Sequence, residues 1–172
     1  MSDASAAPRA VVVLIGAPGA GKTRTGKRVA KLLGVPFVDT DKRIVAEHGP
    51  IADIFADQGE PHFRALERTA VAAALREPAV VSLGGGAVLD PRTRDDLAGL
   101  PVVQLTTSAE AVAERITDGK RPLLAGGTAA WSALVAARQP IYDALASLTI
   151  DTSATPLVSI AAEIADWVEA RA

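Results

Sequence analysis

The chain has 172 residues, of which 49% are hydrophobic and 22% are charged, and its net charge is -2. This balance suits one globular domain with its own core. No apolar run approaches the roughly 18 residues of a membrane span, and the basic residues form no stripe that would bind nucleic acid. Cysteine is absent, which excludes disulfide bonds, thiolate metal sites and a cysteine nucleophile.

Residues 1–9 lack the basic start and apolar stretch of a signal peptide, so we expect a disordered tail before a single domain at 10–172. Short runs rich in β-branched residues predict strands at 10–15, 36–39, 79–83, 101–106 and 148–151. The intervening segments predict helices at 22–33, 61–76, 91–100, 109–117, 129–146 and 156–170. This alternation predicts an α/β fold in three layers, a five-stranded parallel sheet with helices on both faces.

The clearest motif is GAPGAGKT at 16–23, which matches G-x-x-x-x-G-K-[ST] between a predicted strand and a predicted helix. Its glycines let the backbone approach a phosphate closely, and the helix N-terminus adds N–H donors and partial positive charge. Lys22 is expected to reach the β- and γ-phosphates, and the Thr23 hydroxyl to bind Mg²⁺. We therefore predict a site for a nucleoside triphosphate and Mg²⁺, with nucleotide-binding residues Gly19, Ala20, Gly21, Lys22, Thr23 and Arg24.

Two carboxylates, Asp39 and Asp41, follow the second predicted strand. The carboxyl ends of strands line the ligand crevice of an open α/β sheet. One carboxylate can serve the water shell of a metal, and the other can orient or deprotonate an acceptor hydroxyl. The alternative is a turn with a helix cap at Thr40 or Asp41. A P-loop alone would also suit a GTPase or a motor ATPase. Because a P-loop is present, we favour a functional role for the two carboxylates over the helix cap.

Three further features are weaker when taken singly. Gly84, Gly85 and Gly86 follow the third predicted strand and permit a close approach of backbone to ligand, or form an ordinary turn. Arg64 and Glu67 are three residues apart on one helix face, as an exposed ion pair would also be. The glycine-rich segment 118–128 (DGKRPLLAGGT) predicts a mobile loop.

Together these motifs resemble those of shikimate kinases. They are GAPGAGKT, VDTD, IADIF, GExxFRxxE, SLGGGAV, RPLL and RQPIY, in this order from about residue 12 to about residue 156. The resemblance implies a P-loop kinase of the nucleoside monophosphate kinase type, with a substrate-binding region at about 40–70 and a mobile lid at about 117–128. It also implies phosphorylation of the 3-hydroxyl of shikimate by ATP and Mg²⁺, in the cytoplasmic pathway to aromatic amino acids.

The resemblance assigns roles residue by residue. Asp41 is then the catalytic base, Asp39 holds the water of the metal, and Lys22 and Arg121 act on the transferred phosphate. Substrate binding falls to Asp41, Arg64, Gly84, Gly85, Gly86, Arg138, Phe55, Phe63 and Glu67, in which the two arginines bind the substrate carboxylate and Glu67 fixes Arg64. Arg115, Arg121 and Pro156 complete the nucleotide site, with Arg115 stacking on adenine.

This chain departs from the family pattern on the adenine side. The stretch from Arg115 to Arg121 is short, and the adenine loop at 151–156 lacks an often-found arginine. His48 and His62 lack further ligands at metal spacing, and Trp131 and Trp167 suit packing. We expect a monomer that binds neither nucleic acid nor membrane.

Two alternatives stay open from the residues. A gluconate kinase would share the cradle and the lid but not the two carboxylate-binding arginines. A nucleotide-binding module that switches a partner would keep the P-loop without needing an acceptor-side carboxylate, a glycine triplet or a lid arginine.

Overall fold

A computed structural model describes residues 6–116 and 127–172. Five parallel strands form one sheet in the order β2-β3-β1-β4-β5. They are β1 (Val12–Gly16), β2 (Phe37–Asp39), β3 (Val80–Ser82), β4 (Val102–Thr106) and β5 (Leu148–Asp151). All five lie within the predicted runs or extend one residue beyond them, and the predicted α/β fold is confirmed.

The described helices are α1 (Lys22–Leu33), α2 (Thr40–His48), α3 (Ile51–Gln58), α4 (Glu60–Ala74), α5 (Pro91–Leu97), α6 (Ala109–Ile116), α7 (Gly127–Leu145) and α8 (Leu157–Arg171). A short 3-10 helix, Ala87–Leu89, follows the glycine triplet. The sequence prediction had no helix at 40–58, and the structure corrects it. Helices α2 and α3 have nine and eight residues, each followed by a glycine, and they bury few side chains, so their apolar periodicity is weak.

The sheet is buried on both faces. Val12 and Leu14 face a core shared with α1 and α8, while Val13 and Ile15 face the opposite core, which contains residues of α4 and α7. Successive side chains of a strand point to opposite faces, so a strand covered on both sides must be apolar throughout. This requirement explains the uninterrupted run of β1, all of whose residues are buried.

The topology brings three loops to one edge. Strand β1 lies between β3 and β4, and β3 lies between β1 and β2, so the residues after β1, β2 and β3 emerge side by side. Ser82, near the end of β3, is in register with both Leu14 and Asp39. The P-loop, the Asp39 region and the glycine triplet therefore meet at the carboxyl edge of the sheet. Among the described residues, the helices include none with the length and apolar character to cross a bilayer.

Candidate active site

The P-loop turns from β1 into α1 with its lysine folded over it. Gly21, the residue before α1, has φ +90°, a conformation that glycine adopts without steric cost. Lys22 Nζ donates to the carbonyl oxygens of Gly16 at 2.7 Å and Ala17 at 2.9 Å. The ammonium group is thereby held at the start of the loop, on the side where β1 ends.

Thr23 and Asp39 are hydrogen-bonded across this edge of the sheet. Thr23 Oγ1 donates to Asp39 Oδ2 at 2.7 Å, and Asp39 Oδ1 accepts from Lys42 N at 3.1 Å. The second bond makes Asp39 the N-cap of α2. A helix cap does occur here, as the alternative interpretation allowed, but its residue is Asp39 and not Thr40 or Asp41.

The oxygens of Thr23 and Asp39 suit a magnesium ion. Mg²⁺ prefers oxygen ligands and is usually held by one or two protein groups together with substrate phosphates and water. The part of the chain that the structure describes contains no cluster of three or more His, Cys, Asp or Glu side chains that could hold a metal alone. The donor set therefore fits an ion held chiefly by phosphate and water.

Asp41 lies in the first turn of α2, one position beyond the buried Thr40. Burial raises the pKa of the Asp41 carboxyl, and the neighbouring Asp39 raises it further, while Lys22 and Arg64 act in the opposite direction. The positive charges of the P-loop lysine and of the α4 arginine are thus both near enough to Asp41 to influence its ionisation.

Thr40 connects the start of α2 to the end of β3. Its hydroxyl lies 3.4 Å from the Ser82 carbonyl oxygen and 3.4 Å from the Gly84 amide nitrogen, donating to the first and accepting from the second. The side chain is fully buried. Sequence reasoning considered Thr40 only as a helix cap; nothing local in VDTD indicates that its partners lie more than 40 residues away.

Arg64 is held by a buried carboxylate on its own helix. Arg64 Nη1 donates to Glu67 Oε1 at 2.8 Å, and its other nitrogens contact Glu60 at 3.3 to 3.4 Å. Glu67 is only 4% exposed, and burial raises the pKa of its carboxyl. The guanidinium lies against Gly86, where an added β-carbon would be 2.9 Å from Arg64 Cζ.

Arg138 stands beside the middle glycine of the triplet. A β-carbon added to Gly85 would lie 3.1 Å from Arg138 Nη1. Tyr142, one helical turn further along α7, donates its hydroxyl to the Gly85 carbonyl oxygen at 2.7 Å and is buried. Sequence reasoning gave Tyr142 no role, although its spacing of four residues from Arg138 places both on one helix face.

The two predicted phenylalanines form an apolar wall beside Arg64. The ring centroids of Phe55 and Phe63 are 4.9 Å apart, and the Arg64 guanidinium carbon lies 5.4 Å from the Phe63 ring centre. Phe63 is buried, while Phe55 is 37% exposed. Phe55 therefore presents apolar surface at the rim of the site.

A cavity of about 590 Å³ extends from the P-loop toward α8. Its lining residues are Gly19, Ala20, Gly21, Arg24, Thr25, Arg115, Thr152, Thr155, Leu157 and Ile160. Arg115 crosses it, donating from Nη1 to the Gly19 carbonyl oxygen at 2.6 Å and from Nη2 to that of Thr152 at 2.7 Å. Pro156 is exposed at the N-cap of α8, between two lining residues.

The family model and relatives of about 50% identity point to one family. The family model described as shikimate kinase matches residues 18–169. A shikimate kinase of Thermobifida fusca is 50% identical over 149 residues, which cover 84% of this chain and 87% of the relative. One from Mycobacterium avium is 50% identical over 152 residues, covering 86% and 85%. The chain belongs to the shikimate kinase family.

Solved structures of shikimate kinases share the fold. The shikimate kinase from Acinetobacter baumannii in complex with shikimate has a TM-score of 0.86 to this chain at 31% identity, covering 95% of this chain and 94% of that one. The resemblance drawn from the motifs is therefore confirmed, and the protein is a kinase.

The structure brings together most of the predicted site residues that it describes. Lys22, Asp41 and Arg64 interact electrostatically, and the glycine triplet lies against Asp41, Arg138 and Arg64 in turn. Arg121 and residues 117–126 of the predicted lid lie outside the described residues, and positions 127 and 128 open α7.

Proposed function

We propose that this kinase transfers the γ-phosphoryl group of ATP to the 3-hydroxyl of shikimate, with Asp41 as the general base. The observation that carries the proposal is the place of Asp41 between the two halves of the site. Burial raises the pKa of its carboxyl, and both Lys22 of the P-loop and Arg64 of α4 are close enough for their positive charges to oppose that rise. A hydroxyl bound at Asp41 would stand between the phosphate cradle and the arginine pair.

The arginine pair supplies the recognition of an acid. Arg64 and Arg138 lie against adjacent glycines, Gly86 and Gly85, so both guanidinium groups border the same stretch of backbone. A guanidinium offers two parallel N–H donors that match the two oxygens of a carboxylate, and it stays charged. Glu67 holds one edge of Arg64 and so limits the orientations of the fork. We assign this pair to the shikimate carboxylate.

The glycine triplet and the aromatic wall shape the rest of the acceptor pocket. Side chains at 84, 85 and 86 would occupy space now filled by Asp41, Arg138 and Arg64. We assign the triplet backbone to the substrate hydroxyls, and Phe55 and Phe63 to the apolar edge of the ring. A small polyhydroxylated acid with one carboxylate fits these contacts.

The chemical step follows from these positions. Asp41 accepts the proton of the substrate hydroxyl as its oxygen bonds to the γ-phosphorus, and the bond from that phosphorus to the departing ADP oxygen breaks. A carboxylate whose pKa is raised by burial is a stronger base than an exposed one. Lys22 places a positive charge beside the phosphates, where negative charge accumulates during transfer.

Thr23 and Asp39 are the residues that would hold Mg²⁺. Bound there, the ion would neutralise negative charge on the β- and γ-phosphate oxygens. The Thr23 hydroxyl can donate its proton to Asp39 and still offer an oxygen lone pair to the metal. Asp39 itself is anchored by the Lys42 amide, so its carboxylate direction is fixed.

Several finer assignments belong to the same proposal. Arg24, Arg115 and Pro156 are assigned to the nucleotide, supported by the cavity that Arg24 and Arg115 line. Arg121 is assigned to the transferred phosphate on the strength of the RPLL motif alone. We also propose a cytoplasmic monomer with a lid at about 117–128.

A coupled ADP-release assay across candidate acceptors tests the function. We expect turnover with shikimate and little with gluconate, quinate, nucleoside monophosphates or a shikimate analogue without the carboxylate. The D41N variant is the matched control, because it should bind ADP and yet form it from ATP and shikimate about 10² to 10⁴ times more slowly than wild type. Equal turnover with the decarboxylated analogue would overturn the assignment of the arginine pair, and turnover with gluconate alone would overturn the substrate.

A further inference from the structure

Three consecutive carbonyl groups of the P-loop are held by side chains from distant parts of the chain. The carbonyl oxygens of residues 18, 19 and 20 each accept one of these donors. Trp131 Nε1 donates to Pro18 O at 2.8 Å, Arg115 Nη1 to Gly19 O at 2.6 Å and Thr152 Oγ1 to Ala20 O at 2.8 Å. The donors lie in α7, in α6 and just after β5.

Each of these bonds fixes a peptide plane. In a trans peptide the C=O of one residue and the N–H of the next point in opposite directions, and the described residues contain no cis peptide bond. Because Pro18 O points toward the buried Trp131, Gly19 N–H is turned to the other side of the loop. That side is where a P-loop presents its N–H groups to phosphates.

Gly19 is a position where such an anchor is effective. Its φ is +82°, and without a β-carbon its own backbone resists rotation less than that of any other residue type. Val112 of α6 lies against the same residue, since a β-carbon on Gly19 would be 3.3 Å from Val112 Cγ2. Packing and one hydrogen bond therefore both act on this peptide.

Trp131 can be studied apart from nucleotide contact. It is buried in a small cluster with Ala17 and Val112, and it is not among the residues lining the nucleotide cavity, whereas Arg115 and Thr152 are. A substitution at 131 therefore alters the loop without removing a group that faces the cavity.

We propose that Trp131 is a positioning residue for phosphoryl transfer, acting through the Pro18 carbonyl to orient Gly19 N–H toward the phosphates of the nucleotide. This hydrogen bond orients the P-loop for phosphate before the nucleotide binds. Its loss should therefore weaken the binding of ATP and not that of the acceptor. The inference rests on the proposed use of ATP, so ADP affinity is measured separately from turnover.

The decisive variant is W131F, with W167F as the matched control. Phenylalanine keeps an aromatic ring but has no N–H, whereas Trp167 lies on α8 with Arg171 4.6 Å from its ring centre and serves no P-loop carbonyl by any described contact. We expect W131F to raise KM for ATP and Kd for ADP about fivefold to tenfold, as loss of one buried hydrogen bond would. KM for shikimate should stay within about twofold, and W167F should match wild type in all three.

Fluorescence supplies a readout that a general loss of stability would not produce. The chain has two tryptophans, so W167F leaves Trp131 as the sole emitter and W131F leaves Trp167. Adding ADP should change the emission of W167F and leave that of W131F unchanged. If W131F does not fold, Trp131 can be replaced by benzothienylalanine, which keeps the bicyclic shape and exchanges the N–H for sulfur.

The outcomes are separable. Unchanged ADP affinity in the benzothienylalanine protein or in folded W131F would overturn the positioning role, as would an equal rise in KM for ATP and for shikimate. A wild-type protein that binds ADP but phosphorylates none of the candidate acceptors would instead overturn the proposed function and leave this inference standing.

Discussion

The carboxylate of Asp41 lies directly against the α-carbon of Gly84. A β-carbon built on Gly84 would stand 2.5 Å from Asp41 Oδ1 and 3.0 Å from its Cγ, closer than a β-carbon and an oxygen can approach. The Gly84 amide nitrogen is also 3.4 Å from Thr40 Oγ1. The missing side chain at 84 therefore sets how closely α2 and the end of β3 approach, and so where the proposed base stands.

Gly84→Ala should therefore act through Asp41. The added methyl must push the carboxylate away, so we expect kcat with shikimate to fall at least about tenfold while Kd for ADP stays near wild type. A double-mutant cycle with Asp41→Asn checks the route. If G84A lowers the residual activity of D41N as much as it lowers that of wild type, the two residues act independently and this explanation is wrong.

Asp41→Asn should remove the base without removing the nucleotide site. General base catalysis contributes about 10² to 10⁴ in rate, so kcat should fall by that factor. Calorimetric titration with ADP should give an affinity close to that of wild type, since Asp41 is not among the cavity-lining residues. Near-normal turnover in folded D41N would place the base elsewhere.

The raised pKa of Asp41 gives this variant a pH signature in stability. The folded protein holds the Asp41 proton at pH values where the unfolded chain has lost it, so stability due to this group falls as pH rises through the folded pKa. Asparagine does not ionise. The Tm of D41N minus that of wild type should therefore be largest near pH 7. This difference should decline as the pH falls toward 3.8, the ordinary pKa of an aspartate. A constant difference in thermal melts across this range would contradict burial as the cause.

The sequence predicted the sheet better than the helices beside the site. The three central strands, β1, β3 and β4, are buried on both faces and therefore appear in the sequence as short, mostly apolar runs. Helix α2 ends before Gly49 and helix α3 ends before Gly59, so both are short. Helix α3 buries only Ile54, and neither helix shows a periodic stripe of apolar residues. Their positions are determined by packing against α4, which a single sequence does not display.

The same limit applies to the residues that support the site. The P-loop and the aspartates were predicted because each lies in one contiguous motif. The partners of the P-loop carbonyls are remote: Trp131 and Pro18 are 113 residues apart, and Thr152 and Ala20 are 132 apart. The sequence favours a packing role for Trp131, which its burial confirms. Its hydrogen bond to Pro18 depends on a tertiary contact that the sequence does not signal.

Asp39→Asn should raise the requirement for Mg²⁺. The variant loses a negative charge and a hard oxygen beside Thr23, so the Mg²⁺ concentration for half-maximal rate should rise several-fold. Asparagine is also a good N-cap, so α2 and the Tm should be little affected. Asp57→Asn, at an exposed position of α3, is the matched control and should behave as wild type. An unchanged Mg²⁺ dependence in D39N would exclude Asp39 from the metal site.

The final prediction concerns how the acid is recognised. Arg64→Lys keeps the positive charge but loses the planar fork that can bind both oxygens of a carboxylate. A hydrogen bond to a charged group is worth about 1.5 to 3 kcal/mol, so KM for shikimate should rise about tenfold or more while KM for ATP changes little. Glu67→Gln should give a milder defect of the same kind, because the neutral amide still reaches Arg64 but holds it less firmly.

Arg68→Lys is the matched control on the same helix. Arg68 pairs with Asp96 at 2.7 Å and contacts Thr93, on α5, so its replacement should leave both KM values unchanged. Steady-state kinetics of the three variants are compared with shikimate and with the analogue that lacks its carboxylate. R64K should lose discrimination between these two acceptors, because the fork that reads the carboxylate has gone. If R64K and R68K raise KM for shikimate equally, a general effect of replacing an arginine on α4 explains the result, and Arg64 does not recognise the acid.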